Sequence, residues 1–553
     1  MKAFLNELKR INTRSKGRRW LYVSYDQLSD EIGPLSRESP RDLGIVLIES
    51  SWKPRRRPYH KQKLALVVAN LRHFALEQAA RGVAVKYVFS RESFGSALRP
   101  LAGELGAMRV MEPAERELRV DLEQAKREGI LETIPNEGWL TDLDQFKESL
   151  RGRSWRMDSF YRAVRKDSGV LMKKDAPLGG KFSFDAANRL PWKGEPEAPT
   201  PPRFKPDPIT MEVRDLILTK YARHPGKLDP AMLPATRRDA ERLWTWAENR
   251  CMRFFGPYED AMSVRERGLF HTRTSGMLNL GRLPAGRVLD DVLGLDIPIQ
   301  SKEGFARQVL GWREFVRHVH TATDGFRNYG GRKSPKARAP GDGGWSHRTR
   351  TPWRPTEGRG LDGGACPNFL GSNGSLPPAY WGLESGLACL DTVVASVWDE
   401  AYSHHITRLM ILSSLATMLD VSPRELTDWF WVAYQDAFDW VVEPNVLGMG
   451  TFATGNLMTT KPYVSGAAYI NKMSDYCAEC RFHPARDCPI THLYWAFLAR
   501  KEKRIRRIPR FGQVLAGLAR RSESKKKEDA RVFRRLRSIL AGGEKAAPRT
   551  LYR

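Results

Sequence analysis

The chain has 553 residues, of which 41% are apolar and 28% charged, enough for about two to four domains and a core that needs no cross-links. Lys and Arg outnumber Asp and Glu by 91 to 64, a formal net charge of +27, which points to a polyanionic partner with nucleic acid as the first candidate. No run of about 18 apolar residues occurs, and the N-terminus MKAFLNELKRINTRSKGRRW lacks the apolar stretch of a secretion signal, so the expectation is a cytoplasmic protein with no membrane partner. Six cysteines in a chain of this size are too few for a disulfide framework, and any that cluster suggest metal.

Residues 1–17 form a basic extension. From Trp20 to about Glu112, strand-like runs (WLYVS, GIVLIE, VAVKYVF, AMRVME) alternate with a long segment from Lys61 to Gly82. In that segment Leu64, Val67, Val68, Leu71, Phe74 and Ala75 recur at helical spacing. The alternation predicts an α/β domain over 18–150 with a doubly wound parallel sheet. A connector over 151–209 ends in the Pro-rich stretch PWKGEPEAPTPPRFKPDP, expected to be extended. Residues 210–510 read as long helices rich in aromatics, a large all-α domain. Within it, 328–374 is rich in Gly, Pro, Arg and Lys and reads as a mobile basic insertion. Residues 511–553 form a basic tail in which RVFRRLRSIL has the pattern of an amphipathic helix.

The sharpest chemical signal is Cys477-Ala-Glu-Cys480 followed by Cys488. Two thiolates two residues apart can face one ion, and a third nearby makes coincidence a poor explanation. A fourth soft ligand is needed, and Cys389 upstream is the obvious one; His483 could replace it in a zinc site. Spacing alone leaves structural zinc and an iron–sulfur cluster open, because both accept four thiolates.

Several strings in order resemble the photolyase/cryptochrome family, in its iron–sulfur, photolyase-related bacterial branch. They are DQLS (26–29), YHKQKLALVVANLRHFA (59–75), RMDSFYRAVRKDSGVLMKKDAPLGGKFSFDAANR (156–189), YEDAM (258–262), EGFARQVLGWREF (303–315), AYSHHITRLM (401–410) and KPYVSGAAYINKMSDYCAEC (461–480). The resemblance implies an N-terminal antenna-type domain, a helical domain that holds FAD, and a [4Fe–4S] cluster on Cys389, Cys477, Cys480 and Cys488. It further implies a monomer acting on UV-damaged DNA.

Residue by residue, HHxxR at His404, His405 and Arg408 looks like the pattern of photolyases for (6-4) photoproducts, where a histidine gives a proton to the lesion. An imidazole suits that role because it titrates near neutrality, and the i, i+4 spacing puts His404 and Arg408 on one helix face. Carry-over from the family implies a buried Arg408–Asp439 pair beside the flavin, with Asn445 facing it. It puts Trp312 and Arg313 in contact with flavin or lesion, and Thr272 and Ser275 at the FAD phosphates. Trp381 and Trp429 carry electrons to the flavin, while Phe430 replaces a tyrosine of some relatives.

The antenna of this branch is 6,7-dimethyl-8-ribityllumazine, for which Asp26 and Glu49 are the matching polar residues; Tyr25 replaces a common glycine and puts a ring near that pocket. Val442 stands where several relatives carry a glutamate, and Ala453-Thr454-Gly455 replaces a usual Ala-Asp-Gly. The implied activity is light-driven repair of (6-4) photoproducts. The alternative is a cryptochrome-like blue-light receptor that binds flavin and cluster without repairing.

Overall fold

The computed structural model describes residues 2–150, 155–337, 341 and 362–552. Five strands, β1 (Arg19–Tyr22), β2 (Leu43–Ser50), β3 (Ala84–Ser90), β4 (Met108–Met111) and β5 (Leu131–Ile134), form one parallel sheet in the order β3-β2-β1-β4-β5. The strand order steps outward from β1 in both directions, as a doubly wound sheet requires. Four strands coincide with the runs expected from alternation, and β5 is the short addition. Register places Gly44 of β2 beside Trp20 of β1, where a Cβ would lie 2.6 Å from the indole; only glycine lets that ring cross the neighbouring strand.

The helix Lys61–Ala80 runs as the spacing predicts, and Gly82 just beyond it has φ +92°. It is not a half-buried helix, however. Gln62, Lys63, Asn70, Arg72, His73 and Gln78 are buried along with its apolar face, because the helix is enclosed between the sheet and the C-terminal helices. Its polar groups are satisfied across that boundary: Lys63 donates to the carbonyls of Trp431 (2.9 Å) and Ala437, and Asn70 to that of Pro234 (3.0 Å). Burial pushes the Lys63 ammonium pKa down.

Residues 189–207 carry no helix or strand, and a helix begins at Pro208 with Asp207 capping Thr210, as expected of the Pro-rich stretch. Both ends of the chain are more ordered than their charge suggested. Phe4 and Leu8 of the helix Lys2–Ile11 are buried against Lys61–Ala80 and Pro208–Lys220. The tail forms the helices Gly512–Ala519, Glu523–Ala541 and Pro548–Tyr552. Val532, Phe533, Leu536 and Leu540 bury one stripe of the middle helix, which packs on Pro489–Ile505.

The centre of the expected basic insertion, 338–340 and 342–361, lies outside the described residues. Its downstream end is part of the core: Ala365 and Leu370 are buried, and the Phe369 amide donates to the Ala453 carbonyl at 2.8 Å. Composition misled there because a few apolar residues anchor an otherwise polar stretch. Among the described residues no helix is long and apolar enough to cross a membrane.

Candidate functional site

Three π-helical turns interrupt the helices of the second half: Arg307–Arg313, Thr407–Ser413 and Pro444–Gly450. Such turns are rare and gather at functional sites. Each holds expected site residues: Trp312 and Arg313 in the first, Arg408 in the second, Asn445 in the third. The second packs on the third, and the helix Glu314–Ala322 that continues the first also packs on the third. At Gly450 a Cβ would come within 2.8 Å of Ser413 Oγ, so a side chain there would push the second and third turns apart.

At the centre Arg408 is paired with Asp436, Nη1–Oδ1 3.1 Å and Nη2–Oδ2 2.9 Å. Its Nε donates to the Ser403 carbonyl at 2.8 Å and its guanidinium lies 4.1 Å from the Tyr434 ring centroid. Ser275 donates to Asp436 Oδ2 at 2.7 Å, and Asn279 to the Asp436 carbonyl at 2.8 Å. Burial works against charge on Asp436, yet Arg408 and Ser275 hold its carboxyl below the usual range.

The expected Arg408–Asp439 pair is therefore corrected. Asp439 opens the helix Asp439–Glu443 and turns its carboxylate the other way, accepting from the amides of Glu117 (2.9 Å) and Trp440 (2.6 Å). Asp436 precedes that helix, where the non-helical backbone leaves its carboxylate toward Arg408.

The other expected residues take these places. Thr272 and Thr274 share a hydroxyl hydrogen bond of 2.8 Å just before Ser275. Trp312 is half-buried. The Arg313 guanidinium lies 4.0 Å from the centroid of Trp139, in the N-terminal half, and pairs with Glu314 at 2.8 Å. Asn445 Nδ2 donates to the Val441 carbonyl at 2.8 Å. Val442 is buried, and the neighbouring Glu443 is committed to His320 (2.9 Å) and Arg424 (2.8 Å).

One turn before Arg408, His404 is buried and His405 half-exposed. The His404 ring stacks on His271, centroids 4.4 Å apart and planes 12° apart, while His405 stands edge-on to His271 at 5.4 Å. His405 Nε2 lies 3.6 Å from the Asp260 carboxylate. Burial pushes both His404 and His271 pKa values well below the imidazole range, helped by neighbouring cationic groups. Sequence reasoning missed His271 and Asp260 as site residues, although Asp260 falls in the YEDAM stretch and His271 directly precedes Thr272.

Trp429 and Trp381 do not touch each other; Trp398 stands between them. The Trp429–Trp398 centroids are 6.0 Å apart and the Trp398–Trp381 rings stack at 5.4 Å. Trp429 and Trp398 both donate Nε1 to the Tyr380 carbonyl at 2.9 Å. Tyr434 continues the row toward Arg408, 6.0 Å from Trp429. Phe430 stacks on Tyr434 at 5.3 Å, beside the row.

Cys389, Cys477, Cys480 and Cys488 line one cavity with Leu387, Ile470, Phe482 and Ile490. His483 is exposed and spends Nδ1 on the Ala485 amide at 3.2 Å, so it is turned to its own loop. Burial first, and then the neighbouring thiols, push the Cys389 thiol well above its usual range. A zinc tetrahedron with Zn–S near 2.3 Å needs sulfurs about 3.8 Å apart. Among the described residues no three of these sulfurs lie within 4.8 Å of one another.

Of the expected antenna residues, Glu49 accepts from Arg72 (2.8 and 2.9 Å) and Tyr87 (2.7 Å). Asp26 accepts from Ser24 and keeps Oδ2 buried without a partner. The Tyr25 ring stacks on Phe438 at 6.3 Å, and its hydroxyl joins Glu115 and Lys53 in a buried network.

The parallel sheet followed by helices, with its arginine–aspartate pair, tryptophan row and four-cysteine cavity, defines a two-part α/β and α-helical class of protein that comparison with known proteins identifies. Residues 21–233 match the family described as deoxyribodipyrimidine photo-lyase-related protein. The chain is 32% identical to the (6-4) photolyase of Agrobacterium fabrum over 525 residues, covering 90% of this chain and 95% of that protein. It therefore belongs to the photolyase/cryptochrome family, in the photolyase-related branch. Its fold is similar to that of a bacterial class III photolyase from Agrobacterium tumefaciens (TM-score 0.50, 13% identity, 96% and 98% of the two chains). It is equally similar to a Synechocystis cryptochrome (TM-score 0.52, 14% identity, 94% and 95%).

Proposed function

We propose that this protein is a light-driven photolyase for (6-4) pyrimidine photoproducts in UV-damaged DNA, using FAD and a [4Fe–4S] cluster. The observation that carries the reading is the His404/His405 pair set one turn before the Arg408–Asp436 pair, with the homologous (6-4) photolyase as support. When bound, reduced FAD supplies one electron on illumination and takes it back.

The chain's residues do the rest. Arg408, held by Asp436 and Tyr434, supplies a fixed positive charge in a buried setting where it acts strongly. Thr272 presents its hydroxyl for the phosphates while the Ser275 hydroxyl is spent on Asp436, Asn445 and Trp312 approach from the π-helical turns, and Asp439 ties that region to the N-terminal half. His405 is the proton donor: it is half-exposed, and Asp260 is the counter-charge available to its protonated ring. His404, kept neutral by burial, lies edge-on to His405 and helps position it. The row Trp381, Trp398, Trp429 leads to Tyr434 for refilling with electrons, with half-buried Trp398 its most exposed ring.

The four thiols in an apolar cavity, spaced too widely for one tetrahedral ion, fit a cluster of several irons. Against the lumazine stand the two engaged Glu49 oxygens and the Tyr25 ring just beyond β1, while Asp26 Oδ2, buried without a partner, is the polar atom left for it. A net charge of +27 favours the phosphate backbone, and a damaged pair must leave the duplex to reach a buried site. The photoreceptor alternative draws on one observation, buried Val442 with Glu443 turned away to His320 and Arg424. Light-dependent loss of a (6-4) lesion, abolished by His405→Ala, tests the repair reading; flavin photoreduction with an unchanged lesion selects the receptor.

A further inference from the structure

We propose that His271, His404 and His405, with Asp260 beside them, form a binding site for a divalent transition ion of the zinc, cobalt and nickel class. One ring nitrogen from each histidine lies within 4.8 Å of the others, the only such group among the described residues. His404 Nδ1 and His271 Nε2 are buried with no hydrogen-bond partner, on side chains whose residues are 3% and 7% exposed. Buried imidazole nitrogens are ordinarily satisfied, and two open lone pairs in one cluster suit a ligand that accepts them.

The chemistry of the set is specific. Imidazole suits zinc, copper and nickel and is a poor match for magnesium or calcium, which take oxygen ligands. The backbone carbonyl of Glu259 faces the remaining nitrogen of His271, the outer hydrogen bond that fixes the tautomer and direction of metal-binding histidines. Asp260, 3.6 Å from His405 Nε2, adds a carboxylate to the three neutral ligands. The nearby cations do not bar an ion: Arg273 is paired with Glu400 at 2.7 Å and Arg408 with Asp436, while the second Asp260 oxygen lies 3.6 Å from Arg189.

Metal–nitrogen bonds of about 2.0–2.1 Å put tetrahedral ligands roughly 3.4 Å apart, so the histidines must close by on the order of 1 Å. The stacked pair must also tilt apart to aim at one ion, and the half-exposed His405 can swing to meet it. If His405 is the proton donor proposed above, ion and proton compete for the same lone pair, and the ion holds the site in an inactive form. That consequence rests on the repair reading; the site does not.

The test is zinc binding to the flavin- and cluster-loaded protein in the dark, by equilibrium dialysis with metal analysis and by X-ray absorption at the zinc edge. One zinc per chain with a nitrogen and oxygen shell is expected. His405→Ala should abolish it, and Asp260→Asn should weaken it about 10–100-fold; His405 is exposed, with 41% of its side chain accessible, and Asn matches the shape of the partly buried Asp260, so the variants keep the fold. A sulfur shell, no binding, or unchanged affinity in both variants would overturn the site. Because the readout is the ion's own shell, it stands apart from whether a lesion is repaired.

Discussion

Arg408 closes a two-bond pair with Asp436, not with Asp439 three residues later. Removing Asp436 strands the charge of Arg408, whose side chain keeps 23% exposure, so the cost falls at the low end of the about 3–5 kcal/mol of a fully buried pair. Asp436→Asn is therefore expected to lower the stability of the apoprotein by that order and to empty the flavin site. Asp439→Asn loses only bonds to two amides and should cost about 1–3 kcal/mol. Denaturant melts and flavin-to-protein ratios of the two variants check this, and reversal of the order would contradict the assignment.

The same pair sets a pH dependence. The folded pKa of Asp436 is depressed below its unfolded value of about 3.9. Its stabilisation is thus fully present above about pH 4 and is lost as pH falls through the folded pKa. Wild type should lose stability below pH 4 more steeply than Asp436→Asn in matched acid titrations.

How much of this was legible in the sequence follows from what fixes each feature. Four strands and the helix from Lys61 are local patterns, and they appeared as expected. The choice between Asp436 and Asp439 is tertiary: both lie in one short stretch, and only the start of the helix at Asp439 decides which carboxylate faces Arg408. Trp398 was passed over because an aromatic residue on a helix is core packing by default, and His271, in the irregular stretch before the helix Ser275–Asn279, because nothing local marks a ring that stacks on another from a distant segment. The amphipathic pattern of RVFRRLRSIL was legible and is a helix, while the surface it packs on, Pro489–Ile505, is tertiary.

Trp398 is the bridge between Trp429 and Trp381. Trp398→Phe is expected to slow photoreduction of oxidised flavin severely while leaving repair by chemically reduced protein intact. Equal loss of both in transient absorption and repair assays would show a packing role instead.

The proposed cluster rests on four thiols without His483. Cys389→Ser should remove most iron and sulfide and lower the melting temperature, whereas His483→Ala should change neither. Bound zinc in place of iron in freshly isolated protein would overturn the cluster. The same preparation should carry no lumazine fluorescence, given Tyr25 and the engaged Glu49.

Arg156, Arg189, Lys461 and Arg510 lie close enough that burial and neighbouring positive charge lower the pKa of Lys461 and of Arg156. They make a candidate contact for DNA phosphates. Each true contact removed by Lys461→Ala or Arg510→Ala should reduce the slope of log affinity against log salt by about 0.9. An unchanged slope would place the DNA elsewhere.

The most direct measurement is an anaerobic blue-light assay of the reduced protein on a (6-4)-containing oligonucleotide, with restored pyrimidines followed by chromatography. Restoration by wild type, its abolition by His405→Ala and its partial survival in a folded His404 variant are the predicted results. Flavin that photoreduces while the lesion persists would contradict repair and leave a light receptor.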